Sequence, residues 1–324
     1  MARRDQVRYG GNTTCLHFHT RSGQDLILDA GSGIRLLGDR MVHRQRAGTS
    51  RDRPHDGRPE YGDAAFADGR FAEGRGEATI LIGHTHWDHI LGFPFFSPLY
   101  IKGNRFLVVS AGQKRAHIRD ILSGQQAGLN FPVSTEQWAA SLDYLPFSPG
   151  DELELREFHV ETVQLNHPGI TLGYRIAADD GVVTVYTDAA RVREVRLGDG
   201  MKGPKPDEGF SKAYLERLAY TARNSNVLVH DSHFREREMV ERLHYGHSTV
   251  EDALEIARLA KVQQLILFHH APEHSDAVVD EKLALARDLS VGEPLKVDAA
   301  TEGTRVQVGV GVTKKLRSAR DSQA

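Results

Sequence analysis

A single cysteine, Cys15, stands among 324 residues, so no disulfide can form within the chain. No run approaches 18 consecutive apolar residues, which rules out a membrane-spanning helix. The opening Met-Ala-Arg-Arg-Asp is not followed by an apolar stretch of signal-peptide type. Charge of one sign is missing too. The 41 Lys and Arg against 44 Asp and Glu leave a net charge of -3, without the basic field of a dedicated nucleic-acid binder. These absences predict a soluble, cytoplasmic, globular protein. Histidine is the residue in excess, 17 in all with several close together, and it points to metal or acid-base chemistry.

The sequence reads as one domain over residues 1–312, followed by a polar, disordered tail at 313–324. From Asp39 to Glu77, eight Arg, eight acidic residues and six Gly come with almost no Leu, Ile or Val. That stretch cannot offset its ordering entropy by burial and is expected to be a mobile insertion. Arg191 to Phe210, with Gly-Asp-Gly and Gly-Pro-Lys-Pro, is a second irregular stretch. The chain holds no internal repeat.

Five short runs share one feature. Ala78–Ile82 leads into Gly-His-Thr-His-Trp-Asp-His, Glu161–Leu165 into Asn-His-Pro-Gly, and Val182–Tyr186 into Thr-Asp-Ala-Ala. Val227–Val229 leads into His-Asp-Ser-His and Leu265–Phe268 into His-His. Each is an aliphatic or β-branched run of buried-strand type, followed at once by residues that can ligate a metal or move a proton. In sheets interleaved with helices, residues just past strand ends gather along one rim, so the repetition predicts convergence. The most specific group is His84, His86, Asp88 and His89. Imidazoles two residues apart suit a divalent cation of borderline softness, and the carboxylate and imidazole that follow can turn to a second one.

The motif and its downstream partners resemble the metallo-β-lactamase fold superfamily of metal-dependent hydrolases, over nearly the whole chain apart from the insertion and the tail. The resemblance implies an α/β fold, a four-layer αββα sandwich. It implies two divalent metal ions, zinc first, with manganese and iron as alternatives. His84, His86 and His167 would bind one metal, Asp88, His89 and His269 the other, and Asp188 both. His269 is preferred over the adjacent His270 by its place at the strand end, because a one-residue shift reverses the facing. Asp29, in Leu-Ile-Leu-Asp-Ala-Gly-Ser-Gly, matches the superfamily's early aspartate and is expected to buttress the histidine loop. The β-lactam-hydrolysing subgroup often carries a cysteine near the bridging position and lacks the loop's fourth ligand, so the chain is not read as a β-lactamase.

Arg-Tyr-Gly-Gly-Asn-Thr-Thr-Cys, Gly-Phe-Pro-Phe-Phe and Tyr-Gly-His-Ser-Thr resemble the phosphodiesterase-type branch. That branch includes the cyclic phosphodiesterase of carbon-phosphorus lyase pathways and, more distantly, the transfer-RNA 3′-processing endonuclease. The endonuclease's arm for gripping transfer RNA is not recognisable, so a small phosphodiester substrate is favoured over nucleic acid. Relatives usually begin with an extra strand and a Gly-Ser-x-Pro segment. Its absence here means either a late start or a missing edge strand.

His230-Asp231 stands at a strand end, and Tyr245-Gly246-His247-Ser248-Thr249 precedes a helical pattern. Ser248 and Glu251 read as a capping box, placing His247 just before a helix whose Val250, Ala253, Leu254, Ala257 and Ala260 share a face. The resemblance makes Asp231 and His247 a pair that protonates the leaving oxygen, with Asp88 beside the attacking water. A helix-entry histidine bonded to backbone is the alternative.

His270 and His274 are expected beside the ligands, as supports or phosphate contacts. His17 and His19 share a strand face, no third ligand is recognised nearby, and both are expected to face solvent. Phe93, Phe95 and Phe96 read as core, and Cys15 as buried and inert. Three functions stay open: a dinuclear phosphodiesterase on a small nucleotide or cyclic phosphate, a hydrolase of thioesters or lactones, and a non-catalytic metal-loaded sensor. No membrane partner is expected, and homo-oligomerisation is left open.

Overall fold

The computed structural model describes residues 5–42, 64–112, 115–191, 207–309 and 314–316. The middle of the expected insertion, 43–63, lies outside the described residues, as do 192–206 of the second irregular stretch and most of the tail. The chain divides into two compact units, one built on Thr13–Pro146 and the other on Met1–Asn12 with Phe147–Glu302. Each also takes a short C-terminal piece.

In the first unit, β1 (Leu16–His19) and β2 (Asp25–Leu28) form an antiparallel hairpin. Helix α1 (Gly33–Val42) follows, then β3 (Glu77–Ile82), which pairs parallel with β2. After the short α2 (Trp87–Ile90) comes β4 (Arg105–Ala111), parallel to β3. Helix α3 (Arg115–Gln125) and β5 (Ser141–Phe147) complete a sheet of order β1-β2-β3-β4-β5. Leu26, Ile27 and Leu28 on β2 and Ile80, Leu81 and Ile82 on β3 are all fully buried, the unbroken apolar run of central parallel strands. The parallel pairing puts the residues after β2 and β3 at the same sheet edge.

Both ends of the expected insertion are ordered parts of the fold. Asp39–Val42 completes α1, whose Ile34, Leu37 and Met41 form the buried stripe. At the other end Phe66 and Phe71 enter the core, Phe71 stacking on Phe106 with centroids 6.2 Å apart. Counting Leu, Ile and Val misses this burial, because one methionine and two phenylalanines supply it. Phe93 and Phe96 are core, whereas Phe95 is half-exposed and meets Phe131 edge to face.

In the second unit, β6 (Glu152–Leu155), β7 (Phe158–Gln164), β8 (Leu172–Ala178) and β9 (Gly181–Tyr186) form an antiparallel meander. Helix α4 (Glu208–Thr221) leads to β10 (Val227–Asp231), parallel to β9. Two helices, α5 (Glu236–Arg242) and α6 (Val250–Leu259), precede β11 (Gln264–Phe268), which lies parallel to β10. Then α7 (Asp276–Leu289) precedes β12 (Lys296–Ala299), parallel to β11. The core packs Leu254 and Ala257 of α6 and Leu218 of α4 against Leu228, Leu265 and Tyr186 of the strands. The fold is thus mixed α/β with two sheets and helices, and all five ligand-bearing runs are strands. Among the described residues no helix is long and apolar enough to cross a membrane.

The cap of α6 sits one residue later than the sequence pattern suggests. Thr249 is the N-cap, its N–H donating to Asp252 Oδ2 at 3.0 Å. The Ser248 hydroxyl is engaged elsewhere, donating to the Asp231 carbonyl at 3.0 Å. Thr-x-x-Asp and Ser-x-x-Glu both fit a capping pattern, and this competing bond selects the first.

Candidate functional site

In the first unit the histidine loop leaves β3 at Gly83 and is held at both ends by one carboxylate. Asp29, fully buried after β2, accepts the Gly83 N–H on Oδ1 at 2.8 Å and His89 Nδ1–H on Oδ2 at 2.7 Å. The Ala30 N–H donates to the His89 carbonyl at 2.7 Å, so backbone and side chain clamp the same residue. Within the loop, the His84 ring centroid lies 4.4 Å from that of His86 and 4.1 Å from that of His89. His84 and His89 are buried, Asp88 is partly exposed and His86 is exposed. Where the chain after α2 passes the turn that follows Asp29, glycine is needed: a Cβ on Gly92 would lie 2.0 Å from the Gly31 carbonyl oxygen.

In the second unit, β9, β10 and β11 run in one direction, so Asp231 at the end of β10 lies at the same sheet edge as Asp188 and His269, just past β9 and β11. His167 belongs to the loop after β7. That loop is tied to the Asp188 loop by the Ala190 N–H to the Asn166 carbonyl at 2.7 Å, and by Asn166 Nδ2 to the Ala190 carbonyl at 3.3 Å. His167 Nδ1–H donates to the Gly246 carbonyl at 2.8 Å. Gly246 has φ 91° and a Cβ there would meet that nitrogen at 2.3 Å, so glycine is required on both grounds.

Buried Asp188 reaches both ways. Its Oδ2 lies 3.7 Å from His167 Nε2 and its Oδ1 3.6 Å from His269 Nε2. A carboxylate with one oxygen toward each of two imidazoles can bridge two cations. The donor set fits divalent metal: His89 and His167 commit Nδ1–H to an acceptor, which leaves Nε2 as the lone-pair donor.

Asp231, fully buried, is saturated. Oδ2 accepts His247 Nδ1–H at 2.8 Å and the Ala189 N–H at 3.2 Å, while Oδ1 accepts the His233 N–H at 2.8 Å. The His247 side chain keeps 12% exposure, so the ring is anchored at Nδ1 while remaining accessible.

His233 was not among the residues singled out by the sequence. Its ring stacks on His247, centroids 4.1 Å apart, and Nδ1 lies 2.7 Å from the His269 carbonyl oxygen. Burial, with the His247 and His269 rings beside it, holds its pKa well below the ordinary value. The available signal was its place two residues after Asp231, on the same side of an extended chain. Its carbonyl accepts from Nζ of buried Lys282 at 3.1 Å.

Two expectations about neighbouring histidines need correction. His270 and His274, expected beside the ligands, are engaged elsewhere. His270 Nε2 lies 3.2 Å from the Ala300 carbonyl oxygen with its ring edge-on to Tyr9, and burial pushes its pKa down to about 3. His274 Nε2 lies 3.1 Å from Glu238 Oε2. The backbone leaves the strand geometry at His269, whose φ is 54°, and the His270 ring turns to Ala300, just past β12. His17 and His19 do not simply face solvent either. Both rings close on Asp25, a few residues on in sequence and brought across by the β1–β2 hairpin.

The chain matches a family model described as "Beta-lactamase superfamily domain" over residues 72–270. Ribonuclease Z of Halalkalibacterium halodurans is 23% identical over 234 residues, 61% of this chain and 71% of that protein. Ribonuclease Z of Prochlorococcus marinus is 28% identical over 230 residues, 60% of this chain and 71% of that protein. Among solved structures, the metallo-beta-lactamase fold protein YhfI from Bacillus subtilis is similar at a TM-score of 0.57 and 15% identity, covering 92% of this chain and 95% of that one. Unliganded yeast PDE1 is similar at 0.55 and 14% identity, covering 92% and 96%. At such identities the structural likeness speaks for the fold.

Proposed function

The chain belongs to the beta-lactamase superfamily and is a metal-dependent hydrolase, and on that premise we propose that it hydrolyses phosphodiesters at a two-metal site. In this reading His84, His86 and His167 hold one divalent cation, Asp88, His89 and His269 hold a second, and Asp188 serves both. Zinc is the first candidate for histidine-rich sites of this kind, with manganese and iron as alternatives. When bound, such cations supply Lewis acidity and a nucleophilic water at neutral pH.

The observation that carries the reading is the His247–Asp231 pair. An alkoxide leaving from phosphorus needs a proton, and a histidine can give one if its ring is held in a single tautomer. Asp231 Oδ2 takes Nδ1–H at 2.8 Å, so Nε2 is the atom that faces the leaving oxygen. The second bond to Asp231, from the Ala189 N–H, keeps that carboxylate from turning away. Asp88, partly exposed on its loop, accepts a hydrogen bond from the attacking water and orients it. Hydrolysis of a thioester needs no such donor, because a thiolate departs without a proton, and a sensor needs none at all.

The sequence alone favours a small nucleotide or cyclic phosphate. The curated relatives are ribonucleases by name, which brings RNA into the substrate class beside them. The test compares metal-loaded wild type with His247→Ala on a cyclic nucleotide, an RNA with a 3′ extension, and bis-p-nitrophenyl phosphate. His247→Ala should lose roughly 100- to 10,000-fold in turnover of the natural diester it accepts, the range of general acid-base catalysis, and much less with the nitrophenyl leaving group. Metal content should not change. Equal losses on both kinds of substrate would remove the proton-donor role, and activity on thioesters or lactones alone would remove the phosphodiesterase.

A further inference from the structure

The β1–β2 hairpin carries a second group of metal-type donors. His17 and His19 lie two residues apart on β1 and so share one face. The hairpin register sets His19 directly across from Asp25 and His17 across from Ile27, one diagonal step away. As a result His17 Nε2 and His19 Nδ1 both lie 2.8 Å from the same oxygen, Asp25 Oδ1. The three donor atoms all fall within 4.8 Å of one another. The carboxylate is fully buried, while the imidazoles keep 20% and 29% exposure, which leaves one open side.

The surroundings hold this group in place. The other carboxylate oxygen, Oδ2, is bonded to Nη2 of Arg70, so the charge of Asp25 already has a partner without the imidazoles. Arg70 is itself fixed by Asp68 Oδ2 at 2.7 Å and the Ala65 carbonyl at 3.1 Å. The Phe66 ring stacks on His17, centroids 5.2 Å apart, and meets His19 edge-on at 6.5 Å. A carboxylate hydrogen-bonded through its second oxygen and rings fixed by packing are the outer supports that metal ligands ordinarily have. With hydrogen bonds alone, both imidazoles crowd onto one oxygen, His17 as the Nε2–H and His19 as the Nδ1–H tautomer. A cation uses the same three atoms as lone-pair donors, with the ring protons moved to His17 Nδ1 and His19 Nε2.

We propose that His17 Nε2, His19 Nδ1 and Asp25 Oδ1 form a separate divalent-cation site of the zinc class, which clips the β1–β2 hairpin to the Ala64–Arg70 segment. Bonds of about 2.0–2.2 Å in a tetrahedral arrangement separate ligand atoms by roughly 3.3 Å, so each N···O distance need open by only about half an ångström. The fourth position faces the open side and takes water. The role is structural: the ligands span both strands of the hairpin, Arg70 and Phe66 tie them to the Ala64–Arg70 segment, and cation binding stabilises the folded state that assembles the site.

The test strips the full-length protein with a chelator and titrates it with Zn²⁺, and separately with Co²⁺ followed by its visible absorption. Wild type should bind one equivalent per chain more than His17→Ala/His19→Ala, and only wild type should gain the extra step in thermal stability on Zn²⁺ addition. Turnover of the phosphodiester substrate should be equal in the two metal-replete proteins, since neither histidine is in the proposed reaction. If the double variant does not fold, His19→Gln tests the same loss on a partly exposed side chain. Cobalt-shifted imidazole proton resonances from His17 and His19 in wild type give an independent check. Equal stoichiometry in wild type and variant, or no shifted signal from those rings, overturns the site and leaves a hydrogen-bonded cluster. The stoichiometric difference does not depend on how many cations the proposed catalytic site holds, so the two readings fail separately.

Discussion

The imidazole of His233 lies against that of His247 with the ring planes 13° from parallel. The residue is fixed there by its backbone N–H, which donates to Asp231 Oδ1, and by ring Nδ1 against the His269 carbonyl. Asp231 therefore holds His247 by its edge while His233 supports its face. His233→Ala should loosen the ring and lower turnover of an alkoxide-leaving diester about tenfold, less than the roughly 100- to 10,000-fold expected from deleting the acid itself. His233→Phe keeps a flat ring in the stack and should recover most of the loss. Metal content, measured alongside, should be unchanged in both. Variants equally impaired would mean that the polar contact to His269 matters and the stacking does not.

Asp29 is the clamp on the histidine loop. Asp29→Asn keeps the shape but offers an NH₂ where an oxygen now accepts from Gly83 or His89. Metal affinity should fall roughly 10- to 100-fold, the cost typical of losing an outer support. The metal-stripped protein should also lose about 1–3 kcal/mol of stability from the buried donor left unpaired. Equilibrium dialysis and urea unfolding measure the two. Unchanged affinity would show that the backbone bond between Ala30 and His89 positions the loop unaided.

Lys282 is buried, and burial lowers its pKa to about 8 from the ordinary 10.5. Between those values the unfolded chain still holds a proton that the folded chain has released, so stability rises with pH across that window. Integrated over the shift, the effect is about 3 kcal/mol. Urea unfolding at steps from pH 8 to pH 10.5 should show wild type gaining stability relative to Lys282→Met by that order. Parallel profiles for the two proteins would mean that Lys282 stays charged in the fold, held by the His233 carbonyl.

The strands were legible because each buried run ends abruptly in polar residues, as where Ile82 gives way to His84 across a single glycine. Burial supplied by isolated residues was less visible. Met41, Phe66 and Phe71 anchor both ends of a stretch whose average composition denies it a core. The capping pattern of α6 allowed two registers one residue apart, and only the tertiary bond from Ser248 to Asp231 decides between them. The Asp25 cluster depends on hairpin register: nothing local to Leu-His-Phe-His says which residue comes to lie opposite His19. The stacking of His233 is less local still, since it joins the end of β10 to the segment before α6.

Asp29 and His269 each follow a buried strand, and each has a left-handed backbone, with φ of 63° and 54°. Glycine adopts that conformation without steric penalty, whereas other L-residues do so at a cost of about 1 kcal/mol or more. A sequence chosen only for ease of folding would carry glycine at both places. This chain carries an acid and an imidazole there, and among the six described non-glycine residues of positive φ, with Arg156, Asp179, Asn224 and Lys261, these two are the ones with a proposed role in the site to set against the cost. Stabilising designs that relax the backbone toward consensus turn residues should leave these two positions untouched.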